Sequence, residues 1–284
     1  MRVLFCTDGS KISYHSIQNF SRWMKDFAVD IFCAIDWSFL PDTVSLEDSE
    51  FAIQCTNSAD SILNYSEKFL KEQDFIIGDK IKMCGQTVEC ILEICGRTDY
   101  DYVVLGSHGK KGIQKWLGSV SQEVASAVDV STYISKQRNE RQKVLFTLDS
   151  SETGLNVVKK CLDTFNFEGK EIYLTTVYDV PDYLFLEGTL DAGWMLDMQH
   201  KQETAGMLLL NKYEKMFTDK GFSVFKKEIL NGTAAVEILK FITKENIDLT
   251  VCGVRDRKKL SRFLLNSVSK RILEHAKSDV LIVK

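Results

Sequence analysis

The sequence predicts an α/β protein made of two tandem, doubly wound, five-stranded parallel-sheet domains, and three observations carry that expectation. The chain of 284 residues repeats itself: "RVLFCTDGS" at 2–10 returns as "KVLFTLDSS" at 143–151, and "DYVVLGSHG" at 101–109 as "DLTVCGVRD" at 248–256. In the same order "GSVSQEV" at 118–124 returns as "NSVSKRI" at 266–272, and "VSTYISK" at 130–136 as "SDVLIVK" at 278–284. Four ordered matches mean a duplicated unit of roughly 140 residues, an ordinary domain size. Within each copy β-type apolar runs alternate with helical patterns, and those runs are apolar throughout, as in a parallel sheet covered on both faces.

Element by element, the first copy offers strands at Val3–Phe5, Ile31–Ile35, Ile81–Met83, Tyr102–Leu105 and Thr132–Ile134. The second offers Val144–Leu148, Ile172–Val177, Val224–Ile229, Leu249–Cys252 and Val280–Val283. Between strands, Ile17, Phe20, Met24 and Phe27 fall on one helical face, as do Val120, Val124 and Val128, and later Val268, Ile272 and Ala276. Ser10 and Ser151 stand where helix N-caps belong. The polar stretch "QRNERQ" at 137–142 is the natural linker, giving domains 1–138 and 142–284. Such sheets place ligands beyond the carboxyl ends of their strands, where the strand order reverses.

Composition narrows the partners. Hydrophobic residues make up 44% and charged residues 27%, enough for a globular core, and the net charge of −4 with no Lys/Arg block argues against nucleic acid or an anionic membrane surface. No window approaches the ~20 apolar residues of a membrane span. The opening "MRVLFCTDGS" is too short in its apolar stretch for a secretory signal. Eight scattered cysteines form no C-x-x-C pair or disulfide-like framework, and a reducing cytoplasm is the expected compartment. Cys84, Cys90 and Cys95 are expected to be buried, inert thiols rather than zinc ligands.

The glycine-rich loop "GSHGKKGIQKWLGS" carries the functional signal. Gly106 ends the fourth strand and Ser119–Ser121 open the next helix, so main-chain amides from a turn and a helix start can converge on an anion. A phosphate chain is the expected guest, with Lys110 and Lys111 beside it. Neither a G-x-x-x-x-G-K-[ST] loop nor a G-x-G-x-x-G after a first strand occurs.

These features resemble the universal stress protein family, in its tandem two-domain form, over nearly the whole chain. The Asp after the first strand, the strand-four glycine loop and the terminal apolar strand ending in Lys carry the resemblance. It implies an adenine nucleotide alpha hydrolase-like fold, two pseudo-twofold related domains paired within the chain through "TYIS" and "LIVK", and leaves a homodimer open. It also implies an adenine nucleotide ligand, ATP with or without Mg2+, and protein partners the sequence does not name. Carried over residue by residue, Thr7, Asp8 and Ala34 would hold the adenosine part. Gly106, Ser107, His108, Gly109, Lys110, Gly118, Ser119, Val120 and Ser121 would hold the phosphates. One departure is that eight residues, "KKGIQKWL", separate Gly109 from Gly118 where the family has nine.

The second copy reads "GVRDRKKLSRFLLNS", with Asp256 and Asn266 at family glycine positions. A carboxylate ~5 Å from a phosphate charge repels it by roughly 3 kcal/mol at an effective dielectric near 20. The helix dipole returns only ~0.3–2 kcal/mol. Asp149 and Val177 keep the adenosine half of the pattern, so the expectation is one intact nucleotide site, in the first domain. The functional reading is an ATP-binding stress or signalling module with slow hydrolysis at most. An ATPase or transferase using His108, and a nucleotide-independent scaffold or binder of another small molecule, are the alternatives. Two aromatic stretches, 36–51 and 180–198, suit interdomain packing or a lid.

Overall fold

Among the described residues of the computed structural model, strand and helix alternate through both copies of the repeat. The structure describes residues 1–36, 50–108, 117–136, 142–179, 192–254, 265 and 267–284. The chain divides into two compact units.

In the first unit the strands are β1 (Arg2–Cys6), β2 (Ala28–Ile35), β3 (Ile76–Cys84), β4 (Tyr102–Gly106) and β5 (Ser131–Ser135). Their order is β3-β2-β1-β4-β5 and every pair is parallel. The helices are α1 (Lys11–Ser21), α2 (Glu50–Lys71), α3 (Thr87–Arg97) and α4 (Ser119–Ala127). α1 meets α2 through Tyr14, whose ring lies 4.8 Å from Phe69, while α3 and α4 pack on each other. The order therefore reverses between β1 and β4, the doubly wound arrangement the sequence predicts.

The second unit repeats this with β6 (Lys143–Thr147), β7 (Glu171–Tyr178), β8 (Val224–Asn231), β9 (Leu249–Gly253) and β10 (Asp279–Val283). The order is β8-β7-β6-β9-β10, again all parallel. Its helices are α5 (Glu152–Thr164), α6 (Ala192–Thr218), α7 (Ala234–Glu245) and α8 (Ser267–His275).

The duplication extends to single hydrogen bonds. Arg2 N donates to Asp101 Oδ2 at 2.8 Å, and Lys143 N donates to Asp248 Oδ2 at 2.8 Å. Both serine N-caps form as expected: Ser10 Oγ accepts from Ser13 N and Ser151 Oγ from Gly154 N, each at 3.3 Å. Val3, Leu4 and Phe5 of β1, and Val144, Leu145 and Phe146 of β6, are wholly buried, as strands covered on both faces must be.

Two expectations need correction. α1 ends at Ser21, so Met24 and Phe27 are not on its face. A turn closed by Trp23 N donating to Phe20 O redirects the chain; Met24 is still buried, and the Phe27 ring stands edge-on to Phe20 at 5.3 Å. β3 is far longer than Ile81–Met83, because five residues, Ile76, Ile77 and the polar-looking Gly78, Asp79 and Lys80, precede that run. Its register slips beside Asp30, so that Gly78 and Asp79 oppose one residue of β2, a β-bulge on an edge strand. The remaining strands exceed their apolar runs by one to three residues, apart from β6, which stops at Thr147. The aromatic stretches lie largely outside the described residues; α2 and α6 begin at their ends. No described helix is long and apolar enough to cross a membrane.

Candidate functional site

In the first unit the carboxyl ends of β1 and β4 face the starts of α1 and α4, and most of the sequence-predicted residues meet there. Thr7 follows β1 and is 6% exposed. Its Oγ1 accepts from Gly9 N at 3.0 Å and lies 2.8 Å from Ser13 Oγ. Because the Ser13 hydroxyl proton goes to Ser10 O at 2.8 Å, Thr7 is the donor to Ser13. Thr7 therefore has no proton left for a ligand, and its role is to shape the turn. Asp8 is exposed, and its Oδ1 accepts from Ser10 N at 3.0 Å. Ala34, next to last in β2, is partly exposed and presents main chain only.

Gly106 serves packing first. A Cβ there would stand 3.1 Å from both Ile12 C and Ser13 N, so the first turn of α1 lies directly against the end of β4. The second unit repeats the contact, where a Cβ at Gly253 would stand 2.9 Å from Thr153 and Val157 side chains. The serine three positions into the following helix locks the junction: Ser121 Oγ donates to Gly106 O at 2.7 Å, and Ser269 Oγ donates to Gly253 O at 2.9 Å. Ser107 Oγ sits 3.0 Å from His108 Nδ1, and Ser107 N donates to Ser135 O.

Gly118 is the N-cap of α4, and its N–H donates to Ser107 O at 2.6 Å. Any Cβ would press on that carbonyl from 3.2 Å. Having no side chain, it also leaves the first turn uncapped. Helix geometry gives the amides of Ser119, Val120 and Ser121 no intrahelical acceptor, and none has a partner among the described residues. Three donors thus point out of a helix start whose dipole adds to their positive potential. Gly109 and Lys110 lie outside the described residues. The described start of α4 thus offers main-chain N–H groups, while the hydroxyls of Thr7 and Ser121 are spent on the scaffold.

The corresponding place in the second unit holds a cavity of about 300 Å3. Asp149, Ser151, Thr176, Val177, Gly253 and Ser267 are among its walls. Asp149 Oδ1 accepts from Ser151 N at 3.0 Å and from the Ser151 hydroxyl, and Tyr213 OH donates to Asp149 O at 2.8 Å. Asp256 and Asn266, on which the expected closure to phosphate rests, lie outside the described residues. Sequence reasoning misses this cavity's hydroxyl-rich lining, although Thr175 and Thr176 interrupt the apolar run of β7 and Thr153 stands in the first turn of α5.

A scan against family models matches the universal stress protein family twice, over residues 1–136 and 140–284. The chain belongs to the universal stress protein family. This universal stress protein is 21% identical to one from Synechocystis sp., over 98% of each chain. It is 30% identical to one from Methanocaldococcus jannaschii over 155 residues, 55% of this chain and 89% of that one. The crystal structure of a universal stress protein from Archaeoglobus fulgidus superposes with a TM-score of 0.69 at 18% identity, covering 100% of this chain and 98% of that one. That match shows the fold, which is the one expected from the repeat.

Thiol chemistry is weak near either cleft of this universal stress protein. Burial pushes the Cys6 thiol well up, and Cys252 up to about 12 against the opposing hydrogen bond from Thr147. A thiol raised by folding keeps its stabilising neutral form below its unfolded pKa and loses that contribution as pH climbs toward the folded value. At neutral pH these sulfurs are thus protonated packing groups. One expectation fails: Cys84 is exposed at the end of β3 and Cys95 is partly exposed, while Cys90 is buried. Cys84 ends an edge strand, a position that the local spacing does not reveal. Among the described residues no group of three or more His, Cys, Asp or Glu side chains is placed to hold a metal.

Proposed function

We propose that the first unit binds an adenine nucleotide, ATP, and that the chain acts as a nucleotide-dependent module in a cytoplasmic stress response. The observation that carries this reading is the uncapped start of α4. The amides of Ser119, Val120 and Ser121 have no acceptor among the described residues and stand at the sheet's switch point, behind a glycine N-cap. These donors suit phosphate oxygens, and Asp8 with the main chain at Ala34 suits the hydroxyls and amine of adenosine, as the family resemblance implies. Lys110 and Gly109 belong to the same proposed set.

Mg2+ fits only as a companion of the phosphates. It keeps several waters and needs one or two protein oxygens at most, and the described donor set offers no cage. The chain's own residues orient the nucleotide and neutralise its charge; among the described residues His108, held beside Ser107, has no arranged partner that would make it a base toward water. Binding rather than turnover is the activity, and the ordered loop is what protein partners would read.

Titration calorimetry of the full chain with ATP tests this. One ATP per chain is the expected stoichiometry, with AMP bound more weakly because it brings fewer phosphate oxygens to α4. No binding, or two equal sites per chain, contradicts the proposal.

A further inference from the structure

The buried face of α1 carries polar side chains where a core helix would carry apolar ones. Ser13, Ser16 and Asn19 follow one another there at three-residue spacing and are 3%, 0% and 2% exposed. Ser16 satisfies itself locally, its hydroxyl donating to Ser13 O at 2.6 Å. Asn19 instead reaches across to the sheet: its Nδ2 donates to Ser135 Oγ at 3.1 Å, and Ser135 is wholly buried. Burying an amide and a hydroxyl is costly, and their mutual bond offsets that cost without exceeding what an apolar pair would give. The second unit does without the bond. Counting from the serine N-cap and from the last rung of the ladder, it has Val157 for Ser16, Lys160 for Asn19 and Val283 for Ser135. Packing the first helix on its sheet therefore does not require this pair.

Ser135 closes β5, and its pairing with Gly106 is the last rung of the β4–β5 ladder, at the carboxyl end where the candidate site lies. From that rung two main-chain bonds run to the helix: Ser107 N donates to Ser135 O at 2.8 Å, and Gly118 N donates to Ser107 O at 2.6 Å. Gly118 is the N-cap of α4, so these bonds set where the amides of Ser119, Val120 and Ser121 stand. The last rung of a ladder opens more readily than an inner one. Asn19 ties it down from a firm base, since its helix neighbours Ile17 and Phe20 are wholly buried. At the equivalent rung of the second unit, Gly253 with Val283, the valine side chain offers no acceptor for such a tie.

We propose that Asn19 is a positioning residue for the phosphate end of the first unit's site, an inference that rests on the nucleotide reading of that unit. Asn19 is buried and acts only through other residues. By holding Ser135 it fixes the last rung, by that rung Ser107, and by Ser107 the N-cap of α4. The three amides are then in place before any nucleotide arrives, and donors held ready bind more tightly than donors ordered on binding. The adenosine part, met by Asp8 and the main chain at Ala34, lies outside this relay, so the loss of Asn19 falls on the phosphates. The tie also separates the two copies: the unit with the intact glycine loop has it, and the other does not.

Calorimetry and amide hydrogen exchange on the full chain test this, with Ser135→Ala as the first variant because it removes a hydroxyl and little volume. ATP affinity is expected to fall about tenfold, and adenosine affinity by less than about twofold. In the nucleotide-free protein the amides of Ser107 and Gly118 are expected to exchange about tenfold faster, while those of Val103 and Val104 keep their rates. A general loss of stability would speed all four and weaken both ligands. Asn19→Leu, close in size, should reproduce both effects, and the double variant should bind ATP within about twofold of the weaker single one. The proposal is overturned if ATP affinity is unchanged, if ATP and adenosine affinities fall together, if Ser107 and Gly118 exchange at parental rates in both variants, or if the two losses add. A parent protein that binds no ATP refutes the nucleotide reading instead, and the exchange rates then decide alone whether Asn19 holds the start of α4.

Discussion

Ser119→Glu is expected to weaken ATP binding about a hundredfold while leaving the protein at least as stable. Ser119 is exposed at the first position of α4, so a longer side chain meets no packing constraint. A carboxylate there complements the helix dipole, stabilising the fold by about 0.3–1 kcal/mol. The same charge ~5 Å from a phosphate repels it by roughly 3 kcal/mol at an effective dielectric near 20. Stability and binding therefore move in opposite directions, which a simple folding defect cannot mimic. Ser119→Gln, isosteric and uncharged, is expected to bind ATP within a few fold of the parent, and adenosine affinity should survive both changes. Calorimetry with thermal unfolding reads all of this; undiminished ATP affinity in Ser119→Glu contradicts the phosphate site.

The second large effect is on stability. Asp30→Ala is expected to cost about 1–3 kcal/mol, from the buried donor it orphans. Asp30 is 1% exposed in β2, at the register slip opposite Gly78 and Asp79. Its Oδ1 accepts from Asp79 N at 3.0 Å, the amide that the bulge frees from the ladder. Its Oδ2 accepts from Tyr100 OH and from Arg2 Nε, each at 2.8 Å, and Arg2 Nη2 lies 2.6 Å away. Burial, then the bond to Asp30, raises the Tyr100 pKa and keeps that hydroxyl a donor. Arg2 is half exposed and can turn to water when the carboxylate goes, and Asp79 is exposed on the edge strand, but the hydroxyl of buried Tyr100 is left without a partner. Urea unfolding measures the loss; a change below about 1 kcal/mol would show the network to be dispensable. ATP affinity should be unaffected, since Arg2 and its partners lie at the amino ends of the strands.

The architecture was legible because duplication supplies its own control. Each strand is read twice, and a weak run such as "STYIS" gains weight from its partner "DVLIV". What escaped was structure made by contacts across the sheet. The bulge at Gly78 and Asp79 hides β3 because its reason lies in Asp30, some fifty residues earlier, and no local period encodes that. The α1 face was over-extended because Met24 and Phe27 keep helical spacing while a turn after Ser21 carries them. At the site, the glycines stood out in the sequence, but not what they do: Gly106 admits the backbone of α1 and Gly118 the carbonyl of Ser107. Residue type likewise hid that the hydroxyls of Thr7 and Ser121 are consumed within the fold, which leaves the amides as donors.

The most direct measurement is the amide NMR spectrum of the full chain on addition of ATP. Downfield shifts at Ser119, Val120 and Ser121, saturating together at one nucleotide per chain, are the predicted result. ATP binding that leaves those three signals in place would contradict the account, because its phosphates would then be held by something other than the start of α4.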